Sequence, residues 1–344
     1  MTSLNVVIAT PLSDQNAARM RELEPRLDLI HRPELTGPAS ADWMASFDRP
    51  AELQQPYDDM LDEAEVLFGV PDASGRALAR TVAANPGLRW VHTIPAGGGQ
   101  QVKSARLDRA DLDRILFTTS AGVHAEPLAE WAVMGVLAGM KRLPYILDAQ
   151  RRHEWAARVP MALAADTTVA VVGLGSIGRA TAKKLAALGF RVIGVHRHPV
   201  DAPGVSEVRL VSELAQVAAE VDAIVLALPG TEQTDKMLSS DVLASIKPGA
   251  TVVNVGRGTT VDEPALIEAL RGGRVGFAAL DVMYVEPLPT ESPLWSLPNV
   301  LLAPHTAAIS DHEPRLIAEL FAENARRLLD GEPLLNRVDT VEFY

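Results

Sequence analysis

From Thr168 to Leu188 the chain runs through an apolar segment (TVAVV), the turn Gly173-Leu174-Gly175-Ser176-Ile177-Gly178, and a helical pattern over Ile177–Leu188. This succession constrains the fold more than any other feature. A strand apolar at successive positions must be covered on both faces, which is the environment of a parallel sheet. A GxGxxG turn that leaves such a strand and opens a helix is a dinucleotide-binding arrangement. Gly173 permits the tight turn, Gly175 lets a pyrophosphate approach the backbone, and Gly178 allows close packing of helix on strand. Unpaired N–H groups at the helix start face the phosphates.

The same alternation extends along most of the chain. Leu4–Ala9, Glu65–Gly69 and Leu88–Ile94 read as buried strands, with helical patterns at Gln15–Leu23 and Arg76–Ala84. This first α/β unit reaches roughly Thr119. A long helical stretch from Glu126 to about Trp155 follows, in which Leu128, Trp131, Ala132, Gly135, Val136 and Gly139 recur at helical spacing. It reads as a packing helix and as a bridge between two units. Beyond the glycine turn, strands are expected at Arg191–Val195, Asp222–Leu228, Thr251–Val255, Gly276–Val282 and Val300–Ala303. Helices are expected at Val211–Ala219, Val242–Ile246 and Glu263–Arg271, and again at Pro314–Leu329, long enough to return to the first unit. The class is α/β, with two doubly wound parallel-sheet domains, one of them a Rossmann dinucleotide-binding domain. At 344 residues the chain is about twice a typical ~150-residue domain, which agrees.

Charge and composition narrow the partners. With 44 acidic against 32 basic residues the formal net charge is −12, and no basic cluster is large enough for a nucleic-acid face. The absence of Cys removes disulfides, thiolate metal sites and Cys nucleophiles. His92, His124, His153, His196, His198 and His312 form no HExxH, so no metal is expected. The N-terminus lacks a basic secretory start, and the longest apolar stretch, Trp131 to Met140, is far short of the ~20 residues that span a bilayer. A soluble, cytoplasmic protein without a membrane partner is expected.

The kind of dinucleotide depends on the end of the next strand, where an NAD site usually places an acid against the ribose 2′-OH. Here the chain has Val195-His196-Arg197-His198, with no acid until Asp201. A cationic, hydrogen-bonding cluster suits a 2′-phosphate, because Arg offers a planar donor fork. NADP(H) is therefore favoured, through His196 and Arg197. NAD(H) stays open, with Arg197 stacked on adenine.

Three further segments follow successive strands, where the ligand crevice of an open α/β sheet lies. They are Asn254–Gly258, Asp281–Pro287 and Pro304-His305-Thr306. They bring one cation, one carboxylate and one imidazole to a single edge. Arg257 offers charge-assisted hydrogen bonds to a carboxylate or a polarised oxygen, and His305 is a candidate proton donor whose ring Glu286 could hold and favour in its charged form.

The second unit resembles the D-isomer-specific 2-hydroxyacid dehydrogenase family. The residues that carry the resemblance are the GLGSIG turn, Leu228-Pro229 with Thr231 and Thr234, Asn254–Gly258, Ala279–Val282, Glu286-Pro287-Leu288 and Pro304-His305. Ala121–Trp131 is similar to the family's bridge helix, and the match runs from about Ala96 to Ala308. The resemblance implies that Arg257, Glu286 and His305 are catalytic. It further implies that Ser176 and Ile177 meet the pyrophosphate, that Asp281 meets the nicotinamide end, and that Leu228, Pro229, Thr234 and Val255 also line the cofactor site. Gly97 and Gly98 stand where the family carries a loop whose N–H groups bind the substrate carboxylate. The loop departs from the family in having Gly98-Gly99 in place of a Val-Asp pair.

Residues 1–121 with 310–344 are then expected to form a discontinuous, flavodoxin-like substrate domain, and 122–309 the Rossmann domain, with the active site in the cleft. The reaction implied is reduction of a short 2-keto acid, with glyoxylate or hydroxypyruvate as first candidates, by a homodimer. Two alternatives remain open: a phosphoglycerate dehydrogenase-like enzyme, and a dinucleotide-sensing binding protein of corepressor type.

Overall fold

The computed structural model describes residues 3–39 and 47–343. The chain divides into two compact units, Met1–His124 with Ile309–Tyr344, and Ala125–Ala308.

The first unit holds β1 (Leu4–Ile8), α1 (Asp14–Leu23), β2 (Leu27–Ile30), α2 (Pro33–Thr36), α3 (Ala51–Asp62) and β3 (Val66–Phe68). It continues through α4 (Gly75–Ala84), β4 (Trp90–Thr93), α5 (Gly99–Ser104), α6 (Arg109–Arg114) and β5 (Leu116–Thr119). Its five strands are parallel in the order β2-β1-β3-β4-β5, the flavodoxin-like order. Alternation along β1 decides the layers. Leu4, Val6 and Ile8 pack with Ala17 and Met20 of α1, while Val7 packs with Tyr57, Leu61 and Leu78 from α3 and α4.

The C-terminal residues return to this unit. Ile317, Ala318, Phe321 and Ala325 join the β1 core from the last helix, Glu313–Asp330. In the first turn of that helix Glu313 Oε1 lies 2.6 Å from His124 Nε2, both residues buried. Val338 N–H donates to Phe117 O and Asn336 Nδ2 to Ala121 O, which fastens the tail along β5.

The second unit opens with α7 (Ala125–Met140) and α8 (Leu143–Arg151), followed by β6 (Thr168–Val172), α9 (Ser176–Ala187), β7 (Arg191–His196), β8 (Glu207–Leu210) and α10 (Leu214–Glu220). Then come β9 (Ala223–Leu226), α11 (Ser240–Ser245), β10 (Ala250–Asn254), α12 (Glu263–Arg271), β11 (Val275–Leu280) and β12 (Val300–Leu302); the Glu313–Asp330 helix of the first unit is α13. Seven parallel strands run in the order β12-β11-β10-β9-β6-β7-β8. This is the Rossmann order extended by one strand, and it reverses direction between β6 and β9.

The expected helix from Glu126 to Trp155 is two helices. The break falls at Arg142, whose φ is +52°, because the Leu143-Pro144 pair cannot continue the ladder. Gly135 and Gly139 account for the fit of α7 on the sheet. A Cβ at Gly139 would lie 2.0 Å from Thr251 Oγ1, and one at Gly135 2.9 Å from the Ala279 Cβ.

His92 on β4 is fully buried among Phe68, Trp90 and Phe321. Nδ1 lies 2.8 Å from Thr118 Oγ1 and Nε2 3.1 Å from Ser120 Oγ. Burial drives its pKa down to about 3, from an ordinary value of 6.5. The folded state thus resists a proton that the unfolded chain accepts, so this residue's contribution is intact above pH 6.5 and falls as pH drops toward 3. The loss is about 1.4 kcal/mol per pH unit. Urea unfolding of the native chain should therefore show stability declining below pH 6.5, and His92→Gln should flatten that decline by about one proton.

Candidate active site

Strand register sets the edge on which the candidate residues stand. Asn254 at the end of β10 pairs with Leu280 on β11, and Leu280 with Leu302 on β12. Val172 at the end of β6 pairs with Leu226 on β9 and Val195 on β7. All these strands finish level, so the loops that follow start from one plane.

At the switch point Gly173 adopts φ +94°, a left-handed conformation that favours Gly, and its N–H donates to Val195 O. A Cβ on Gly178 would sit 1.8 Å from Gly173 O, whereas Gly175 looks onto open space. The first amide of α9 to find a partner within this turn is Arg179 N–H, donating to Gly175 O. Ser176, Ile177 and Gly178 thus keep N–H groups without an intrahelical partner, a ready cradle for an anion. Arg179 braces the turn, donating from Nε to Leu174 O and from Nη1 to Asp201 O. Nothing in the sequence around the glycine turn signals this bracing role of Arg179.

His196 is the last residue of β7, and Arg197 and His198 follow it exposed. After β9, Thr234 Oγ1 donates to Pro229 O at 2.6 Å and Thr231 N–H donates to Thr234 Oγ1 at 2.9 Å, which folds the Leu228–Thr234 loop on itself. Leu228 packs partly buried on the core. Val255 is a core residue, so only its backbone is available to a ligand.

Glycines then lock neighbouring loops together. A Cβ on Gly256 would lie 2.5 Å from Leu228 O, and one on Gly258 1.8 Å from Met283 O. Between them Arg257 is exposed, with Nη1 donating to Gly256 O. Asn254 shapes this turn, accepting from Gly256 N–H and donating to Arg257 O. The signal for Asn254 was a polar residue closing an apolar strand. The Met283 backbone that Gly258 touches also donates its N–H to Glu286 Oε1 at 2.9 Å. The other carboxylate oxygen of Glu286 stands 2.7 Å from His305 Nδ1.

His305 is held in a left-handed conformation, φ +53°, uncommon for a residue with a Cβ. Asp281 over-determines it. The backbone O of Asp281 accepts from His305 N–H, and Oδ1 accepts from Thr306 and Ala307 N–H at 2.9 and 3.0 Å. Asp281 is fully buried, and its Oδ2 has no partner among the described residues. Burial raises its carboxyl above the usual range, opposed by the hydrogen bonds from Ala307 and Thr306.

In the first unit, Gly97 is exposed and Gly98 buried. Gly98 N–H donates to Pro95 O, and a Cβ there would meet Thr93 Oγ1 at 1.7 Å. Among the described residues the N–H groups of Ala96, Gly97 and Gly99 in this loop have no hydrogen-bond partner, whereas that of Gly98 is taken.

A Rossmann turn, a level edge of loops and a carboxylate-oriented imidazole define a dinucleotide-dependent dehydrogenase. A family model described as "D-isomer specific 2-hydroxyacid dehydrogenase, NAD binding domain" matches residues 133–307. The chain is 31% identical over 287 residues to glyoxylate/hydroxypyruvate reductase B of Serratia proteamaculans, covering 80% of this chain and 85% of that one. It is 31% identical to D-3-phosphoglycerate dehydrogenase of Mycobacterium tuberculosis over 79% of its own length, but spans only 52% of that enzyme. Among solved structures it is similar to a D-isomer specific 2-hydroxyacid dehydrogenase of Xanthobacter autotrophicus Py2 in complex with NADPH and MES, with TM-score 0.79 and 33% identity over 99% of this chain and 100% of that one. The chain belongs to the D-isomer specific 2-hydroxyacid dehydrogenase family, and is an oxidoreductase.

Because Gly258 supports the loop that presents Glu286, Gly258→Ala must displace the Met283 carbonyl. Overpacking of this kind costs about 1–3 kcal/mol. The variant should show a Tm lowered by several degrees and turnover reduced at least tenfold, with the far-UV spectrum retained.

Proposed function

We propose that the protein reduces a short 2-keto acid of the glyoxylate or hydroxypyruvate type to the D-2-hydroxy acid, using NADP(H) in preference to NAD(H). The observation that carries this is the Glu286–His305 contact of 2.7 Å on the same edge as Arg257. The nucleotide site is supported by fit. Three free amides lie at the start of α9, open space lies over Gly175, and Asp281 Oδ2 lacks a donor that a carboxamide N–H₂ would supply. When bound, the nicotinamide supplies hydride to the ketone carbon.

The protein residues do the rest. Arg257 binds the substrate carboxylate and stabilises the charge that grows on the ketone oxygen. Its Nη1 is turned to Gly256 O here, which leaves the other guanidinium nitrogens for this task. Glu286 accepts Nδ1–H of His305, which fixes the ring and leaves Nε2 to hand a proton to the ketone oxygen. In the reverse direction the same nitrogen takes that proton back. Gly173, Gly175, Gly178, Ser176 and Ile177 hold the pyrophosphate. Leu228, Pro229, Thr234 and the backbone of Val255 line the floor of the dinucleotide site, and His196 and Arg197 take the 2′-phosphate. The 1–121/310–344 and 122–309 segments act as substrate and dinucleotide domains.

We also propose a cytoplasmic homodimer. Among the described residues no helix is long and apolar enough to cross a membrane. The second unit exposes apolar side chains that a partner copy would cover, among them Met134, Ile146, Leu147 and Trp155. Sedimentation should give about twice the chain mass, and Ile146→Glu with Leu147→Glu should return it to the monomer.

Loss of a positioned acid costs about 10²–10⁴ in rate. His305→Gln should lower kcat by that range with KM for NADPH within about twofold of the native value. Native-like turnover in this variant would remove His305 from the proton-donor role. Assayed with both reduced cofactors, the native chain should give the higher kcat/KM with NADPH, and the reverse order would overturn the cofactor preference. Tight dinucleotide binding with no turnover on any 2-keto acid would favour a sensing protein instead.

A further inference from the structure

Glu286 is presented to His305 by a loop with little of its own to hold it. From Val282 to Leu288, after β11, no main-chain group hydrogen-bonds another main-chain group among the described residues. Met283 and Leu288 pack on the core, but Tyr284 and Val285 between them are about half exposed. The Met283 N–H is taken by Glu286 Oε1, inside the loop itself. Apart from the Glu286–His305 contact, one hydrogen bond from outside reaches this segment among the described residues. In it Tyr284 N–H donates to Glu263 Oε2 at 3.0 Å.

Glu263 is available for this contact. It opens α12, where its neighbour carries the cap: Asp262 Oδ1 accepts from Ala265 N–H at 3.3 Å, and Asp262 O accepts from Leu266 N–H. Lys236 stands 3.9 Å from Asp262, and Glu263 joins no ion pair among the described residues. The core sets its backbone. Val261 is buried, Asp262 N–H donates to Leu238 O, and Leu266, Ile267 and Leu270 of α12 belong to the same core as Met283.

One segment therefore grips the loop at both of its ends. At Gly258 the main chain presses on Met283 O, where a Cβ would lie 1.8 Å away. At Glu263 the carboxylate takes the next amide along, that of Tyr284. A single point of contact would let the loop pivot about Met283, whereas two adjacent points fix the direction in which Glu286 leaves it. Arg257 stands immediately before this segment. The grip thus makes the guanidinium and the carboxylate that orients His305 parts of one body, although they belong to different loops.

We propose that Glu263 is a positioning residue of the reaction: through the Tyr284 amide it holds the loop so that Glu286 stays aimed at His305 Nδ1, and with it the Nε2 that hands over the proton. The inference rests on the Glu286–His305 part of the proposed function. What this role requires at position 263 is an acceptor oxygen at the end of a side chain of this length. It requires no charge, since an amide oxygen also accepts from N–H. A role confined to the helix would require the reverse, because a carboxylate in the first turn stabilises the N-terminus of α12 whatever its reach. Two conservative substitutions separate these roles.

Glu263→Gln keeps the reach without the charge, and Glu263→Asp keeps the charge but falls one methylene short of Tyr284 N–H. The intact protein is assayed in the reduction of glyoxylate and hydroxypyruvate with NADPH. Glu263→Gln should keep kcat within about threefold of native, because its amide oxygen still accepts. Glu263→Asp should lower kcat about ten- to a hundredfold, the scale of a misplacement of about 1 Å. KM for NADPH should stay within about twofold in both variants, since the lost interaction belongs to the chemical step. In a Glu286→Ala background Glu263→Asp should cost less than about twofold, because the group it positions is gone. Native-like turnover in Glu263→Asp would overturn the hold and leave the proposed function standing. So would a Glu263→Gln variant as impaired as Glu263→Asp, or an undiminished effect in the Glu286→Ala background. A native chain without turnover on either acid, or one equally active after His305→Gln, would remove the functional reading and this inference with it.

Discussion

Parallel strands ending in register, with loops that only glycine lets touch, are the constraint on which the candidate site rests. Ladder hydrogen bonds bring Asn254, Leu280 and Leu302 to one level, and the chemistry-bearing residues lie only one to six positions beyond. Side chains on such loops would normally hold them apart. Gly256 against Leu228 and Gly258 against Met283 close that gap to backbone contact. The result is a connected series from the Leu228 loop through Arg257 to Met283, Glu286 and His305. Each step is a main-chain contact or a hydrogen bond of 3 Å or less, so a small shift at one glycine reaches the imidazole. A site of this kind is preorganised by its scaffold rather than by the length of its side chains.

The same edge stores the cost of that arrangement in Asp281 and His305. A buried carboxylate with an orphaned oxygen is unfavourable, by about 1–3 kcal/mol for an unmade hydrogen bond. A non-glycine residue in a left-handed conformation adds about 1–3 kcal/mol. Three backbone amides, from His305, Thr306 and Ala307, converge on Asp281 and offset much of this. The remainder is the open valence at Oδ2.

Interior strands were legible because they are apolar at nearly every position: LNVVI, TVAVV, AIVL and ATVVN sit inside their sheets. Those that escaped are the edges β2, β5 and β8, where LDLI, LFTT and EVRL carry polar or charged residues. An edge strand has one solvated side, and charge there discourages unwanted pairing, so hydrophobic runs do not reveal these three, whereas the edge strand β12, with its apolar VLL, was legible. The α7–α8 break was signalled by Pro144, yet its position depends on backbone that only the fold displays. Arg257, Glu286 and His305 could be read because each follows a strand end. The brace Arg179 could not, since its work is hydrogen bonding to the backbone atoms of Leu174 and Asp201, which have no sequence signature. Gly98 marks a further limit: composition shows a glycine cluster, but not that its own amide is already taken by Pro95 O.

The charge balance bears on the β7 terminus. A chain of net charge −12 repels a polyanionic dinucleotide at long range, but the Debye length at physiological salt is about 8 Å. Beyond that distance the global charge is screened, and affinity is decided by what stands beside the ribose. An acid at this strand end would receive a 2′-OH and repel a 2′-phosphate, which is discrimination by an unfavourable contact. The sequence has no acid from His196 to Val200, and the nearest carboxylate is Asp201. One residue further along, then, the repulsive element is absent and an attractive one takes its place.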